Sequence, residues 1–170
     1  MRVRGIAALA ATIGLAGPAD AATNIQVTFS LPVYAQINGL NDVTFTAVPT
    51  NTDAVNSQST CAWTNSLTRS YRITASGDGG SGTAFSLSAT GGRTVAYQVG
   101  WAGTSGASST TALTTTVASP TFTSAALTPT CTTGPSSSST LRVTILAADL
   151  QGMTSSLSYT GTLTLLMSPM

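Results

Sequence analysis

The sequence predicts an all-β protein built as a two-sheet sandwich. Three observations predict it. Apolar and polar residues alternate in run after run, the period of a half-buried strand. Thr, Val and Ser are abundant while Asp, Glu, Lys and Arg make up only 6% of the chain, a composition that favours strands over helices. Turn residues separate the runs at short intervals, as in sandwiches and barrels. No segment has a convincing 3.6-residue period, and Ala147 to Met153 offers one helical turn at most.

The chain begins with an export signal. Arg2 and Arg4 give a positive start, Ile6 to Leu15 is a short apolar run, and Ala19-Asp20-Ala21 is a small-x-small cleavage site. Residues 1–21 are therefore read as a signal peptide, cut after Ala21, with Ala22 the next choice. The run is too short for a transmembrane helix, which needs about 20 apolar residues, and it breaks at Pro18.

The strands are read in order along the remainder, which fits one domain. Ile25, Val27, Phe29, Leu31, Val33, Ala35 and Ile37 share one parity, with polar residues and Pro32 between them. Proline cannot donate to a ladder, so one strand is expected from Asn24 to Leu31 and a second from Val33 to Ile37. After the turn at Asn38-Gly39, a strand is expected over Val43 to Val48, then a polar loop from Pro49 to Thr60. Tyr71, Ile73 and Ala75 mark the next strand. Phe85, Leu87 and Ala89 mark its return after a Gly-rich turn. Gly91-Gly92 is a hairpin signal, and Val95, Tyr97, Val99 and Trp101 alternate as one strand beyond it. Residues 102–112 read as loop. Leu113, Thr115 and Val117 suggest a weak strand, and core residues recur over Phe122 to Leu127. Leu141 to Ala147 and Leu157 to Met167 are the last two alternating strands.

Charge and residue type exclude several functions. The chain holds six Lys plus Arg, five Asp plus Glu and no His. After cleavage, Arg69, Arg72, Arg93 and Arg142 balance Asp42, Asp53, Asp78 and Asp149. Four scattered arginines make no basic stripe, so no nucleic-acid partner is expected. General acid–base catalysis wants His or paired carboxylates, and a serine nucleophile wants a base to activate it. The four aspartates are far apart and suit turns. No enzyme activity and no cofactor are expected. Asp78, in its Gly-rich turn, is a single carboxylate where calcium takes about six to eight oxygens, so no metal is expected either. Cys61 and Cys131, in an oxidising compartment, read as one disulfide closing a loop of about 70 residues, worth roughly 4 kcal/mol. Trp63 and Trp101 suit a sandwich core, with stacking on a sugar as the other use of such side chains.

The N-terminal run carries the most specific signal. A strand that follows a cleavage site and is set off by proline can pair within its own domain or leave it to complete another subunit. In the second case Ile25, Val27, Phe29 and Leu31 are the inserted side chains. Burying four such groups is worth on the order of 6–12 kcal/mol before ordering costs.

Three segments resemble chaperone–usher fimbrial subunits, most closely the α-fimbrial (CFA/I-like) major pilins, with spore-coat-U-like archaic pilins a second similar group. Asn24 to Val33 resembles the pilin donor segment with its proline. Tyr97-Gln98-Val99-Gly100-Trp101 resembles a mid-domain strand entering a Gly-rich turn. Ser158 to Met167 resembles the terminal strand, where Tyr159-x-Gly161 precedes Leu163, Leu165 and Met167. The resemblance implies a donor segment over residues 22–32 and an incomplete immunoglobulin-like domain over residues 33–170, its acceptor groove bordered by the terminal strand. It further implies Sec export, a periplasmic chaperone, an outer-membrane usher, and a surface fimbria of like copies serving adhesion or biofilm formation. A self-contained secreted sandwich that binds a carbohydrate or protein ligand, such as a tip adhesin, is the alternative.

Overall fold

The computed structural model describes Gln26, residues 28–79 and residues 83–170. Residues 1–21, expected to be a signal peptide, and Ile25 and Val27 lie outside the described residues. The chain divides into two units, Met1–Leu31 and Pro32–Met170.

The second unit is all-β and sandwich-like. Its strands are β1 (Ala35–Asn38), β2 (Ala54–Thr64), β3 (Ser70–Gly77), β4 (Ser86–Ala89), β5 (Arg93–Ala96), β6 (Gln98–Ala102), β7 (Thr111–Ala112), β8 (Phe122–Thr123), β9 (Ser139–Ile145) and β10 (Leu163–Pro169). One short helix, α1 (Ala147–Gln151), sits between the last two. A five-stranded sheet has the order β1-β2-β9-β6-β7, a three-stranded sheet the order β10-β3-β8, and β4 and β5 pair as a hairpin. Every named strand pairing is antiparallel.

The core forms where the apolar faces of the two larger sheets meet. Tyr71, Ile73 and Ala75 of β3 pack in one cluster with Val99 and Trp101 of β6 and Leu141, Val143 and Ile145 of β9. At its centre Trp101 Nε1 donates to Tyr71 Oη at 3.1 Å, and Tyr71 Oη shares a 2.8 Å hydrogen bond with Ser139 Oγ. Buried aromatics with polar tips need such partners. A second cluster lies around the disulfide of Cys61 with Cys131, whose Cα atoms are 5.9 Å apart. It staples β2 to the loop ahead of β9.

Several expected strands differ. Val95 to Trp101 alternates without a break, yet it serves two sheets: β5 joins the hairpin, β6 joins the large sheet, and Tyr97 is the junction. The expected loop over Pro49 to Thr60 contains most of β2. Its buried threonines are satisfied rather than solvated: Thr60 Oγ1 donates to Asn38 O at 2.6 Å and Thr64 Oγ1 to Tyr34 O at 2.8 Å. Hydroxyls bonded to carbonyls can be buried at little cost. Residues 43–48 form no strand, and Val33 and Tyr34 precede β1 as exposed chain. Leu113 to Val117 is held by an isolated bridge from Thr115 to Ala75 rather than by a ladder.

Candidate functional site: an open apolar groove

A groove of about 1310 Å³ opens in the second unit. Most of its lining comes from residues 40–48, the inward side chains of β9, residues 153–162, and Leu163 and Leu165 at the start of β10, with Thr50, Leu87, Tyr97 and Leu150 completing it. The exposed apolar content has a direct cause. β10 stands at one end of its sheet, hydrogen-bonded to β3 along Leu163↔Gly77 through Pro169↔Tyr71. Its other edge has no ladder among the described strands. β1 is likewise the end strand of the five-stranded sheet. Two sheets thus meet at a side where each ends in an unpaired edge, and core residues such as Val143 line the opening. Unpaired edges beside apolar surface favour strand addition.

The residues expected at the acceptor groove are mostly brought together there. Tyr159, Gly161, Leu163 and Leu165 all line it. Met167 does not line the groove but packs against the core. Only three of the five belong to the terminal strand, because β10 begins at Leu163, later than the expected Leu157. The preceding segment is fixed in other ways. Tyr159 Oη accepts the Thr154 N–H at 3.1 Å, and Thr160 exchanges two backbone hydrogen bonds with Ser88, of 2.8 and 2.9 Å. Gly161 lets this segment approach β4: a Cβ there would lie 3.1 Å from Asp78 Oδ1, from Leu87 Cδ2 and from Ser86 O.

Tyr97 lines the groove, and Asp78 lies beside Gly161 of the lining. Thr162, through its backbone N–H first and its hydroxyl second, holds the Asp78 carboxyl below the ordinary carboxylate range. Tyr97, which lines the groove, has its phenol pKa raised by burial and then by the negative charge of Asp78. Burial likewise raises that of Tyr71, against the hydrogen bonds of Ser139 and Trp101.

The expected donor strand divides between what is described and what is not. Ile25 and Val27 fall outside the described residues. Phe29 and Leu31 are 82% and 61% exposed and carry no strand pairing. The expected strand over Asn24 to Leu31 is thus absent from Thr28 to Leu31, whose backbone has no ladder partner among the described residues. Trp101 is fully buried, so it is no sugar-stacking surface. Trp63 is half-buried against the disulfide cluster. No three His, Cys, Asp or Glu side chains gather at one place among the described residues. Sequence reasoning missed residues 40–48 as groove lining; their alternation signalled a strand, and nothing local signalled that the strand would go unpaired.

No protein-family model matches the chain, and neither a curated protein nor a solved structure matches it.

Proposed function

We propose that this chain is the structural subunit of a surface fimbria, polymerised by donor-strand exchange, in which residues 22–32 of one copy enter the groove of the next. The observation that carries this reading is the groove beside the unpaired edge of β10. An extended segment laid there gains main-chain hydrogen bonds from the edge and buries alternate side chains in the opening. Phe29 and Leu31 supply such side chains and are exposed on their own subunit. The domain is then an immunoglobulin-like sandwich lacking one strand. Export by the Sec route, passage with a periplasmic chaperone and assembly by an outer-membrane usher follow from the same reading, as does a role in adhesion or biofilm formation.

The test is a denaturing gel of protein sheared from expressing cells, with and without boiling. The expected result is a ladder at multiples of the subunit mass that collapses on boiling, as non-covalent strand-exchanged polymers would. A single monomer band in both lanes, from protein that is folded, overturns the proposal.

A further inference from the structure

Residues 40–48 carry the alternation of a strand, with Val43 and Phe45 half-buried and Asp42, Thr44 and Thr46 exposed. Yet residues 42–48 belong to no ladder, and their backbone makes no backbone–backbone hydrogen bond among the described residues. The chain leaves the β1–β2 ladder at Gly39, where φ is +83°, and reaches a second left-handed residue at Ala47, φ 51°. A left-handed alanine is strained where a left-handed glycine is not. Along this span the segment lines the groove.

A vacant place lies beside it. β1 pairs with β2 only over Cys61 to Thr64, on the side opposite β9. The rest of β2, Ala54 to Thr60, is paired with β9 and has no described strand on the β1 side. Continuing the register that runs from Ala35↔Thr64 to Asn38↔Cys61 sets Asn41 against Gln58, Val43 against Asn56 and Phe45 against Ala54. Two details agree with this register. Asn41 already faces Gln58, but at the distance of a side chain: the Gln58 amide accepts the Asn41 N–H and donates to the Asn41 carbonyl, both at 2.9 Å. Parity also agrees, because Ala54, Ala62 and Thr64 are the buried face of β2, so Val43 and Phe45 would point to the core. Opposite Val43, the buried Asn56 Oδ1 has no hydrogen-bond partner among the described residues.

We infer that residues 40–48 are a strap with two stations: against the groove in the lone subunit, and on the free edge of β2, as an extension of β1, when the groove is filled. At the second station the Gln58 clasp opens, the unpaired backbone gains a ladder, and the groove loses one of its linings to the entering strand. The trigger, a strand entering the groove, rests on the strand-exchange reading; the second station does not.

The test uses a Val43→Cys/Asn56→Cys variant of the exported chain under mild oxidation. These positions form a non-hydrogen-bonded pair in the extended register, where facing side chains are closest. The expected result is a cross-link between positions 43 and 56, mapped by mass, forming about tenfold faster with a saturating synthetic peptide of residues 24–33 than without it. No cross-link in either condition overturns the second station. An equal rate in both, while the peptide slows amide exchange in β10, overturns its coupling to the groove. Failure of the peptide to protect β10 counts against strand exchange itself, and the cross-link without peptide then decides the strap alone. Should the variant not fold, amide exchange in the unaltered chain decides. The Asn65 N–H bonded to Tyr34 O makes even-numbered residues the hydrogen-bonded ones of this strand. The amides of Asp42 and Thr44 should therefore slow about tenfold whenever the peptide protects β10, and their continued fast exchange overturns the strap.

Discussion

Tyr71 joins the two sheets through one atom. Its hydroxyl, on the three-stranded sheet, meets Trp101 and Ser139 on the five-stranded sheet. All three residues are fully buried. Tyr71→Phe keeps the ring and strands two buried polar groups, which costs about 1–3 kcal/mol. A lower denaturant midpoint at unchanged m value should report it; an unchanged midpoint would mean that water replaces the hydroxyl. Asp78 acts at the same scale with a pH signature. Its carboxyl is held below the ordinary range in the folded chain, so the folded state binds a proton less readily than the unfolded one. The resulting stability is present above the unfolded carboxylate pKa and is lost as pH falls through the lower folded value. Asp78→Asn should flatten that acid limb of a melting-temperature profile, and an identical limb in both proteins would dismiss the Thr162 contact as a source of stability. Asp78 is exposed, so salt and solvent keep the effect small.

At the scale of elements, legibility followed the visibility of the burial pattern in side-chain type. β3, β9 and the β4–β5 hairpin alternate in aliphatic or aromatic residues, and Gly91 and Gly92 both take the positive φ that a tight hairpin turn wants. They could be read directly. β2 could not. It is rich in Asn, Ser, Gln and Thr, and its buried positions are closed by bonds to distant partners, such as Ser138 Oγ donating to Ala62 O at 2.9 Å. A polar group satisfied across 76 positions of sequence leaves no local mark. The opposite failure occurs at residues 43–48, where the pattern of a strand is present and its partner is not. Alternation records which face a segment can bury; pairing depends on whether another edge is within reach. The disulfide was legible because only two cysteines exist, and the bond closes a long loop, worth roughly 4 kcal/mol in the chain-entropy account. The groove was legible only in its β10 side, through Tyr159, Gly161, Leu163 and Leu165. Another lining, residues 40–48, follows the turn expected at Asn38-Gly39, but no residue pattern announces that the chain beyond it goes unpaired.

For the whole molecule, the decisive question is whether apolar side chains outside the sandwich serve their own subunit or another. Phe29 and Leu31 separate the two. Both are exposed in the chain that carries them, so replacing them with aspartate removes no buried contact there. Phe29→Asp/Leu31→Asp should leave the stability of the isolated subunit within about 0.5 kcal/mol of the parent, as for other exposed substitutions, read from its denaturant midpoint. In a strand-exchanged polymer the same two side chains would be buried in a neighbour, each contributing about 1.5–3 kcal/mol, and a carboxylate placed there would be desolvated without a partner. The polymer ladder should then disappear while the monomer stays intact. Loss of monomer stability together with the ladder would place these side chains against their own domain. A ladder that survives both substitutions would mean that the groove takes its strand from elsewhere. The unpaired edge of β10 makes the first outcome the expected one, because an edge and an opening of this kind on a lone subunit invite aggregation unless a dedicated strand covers them.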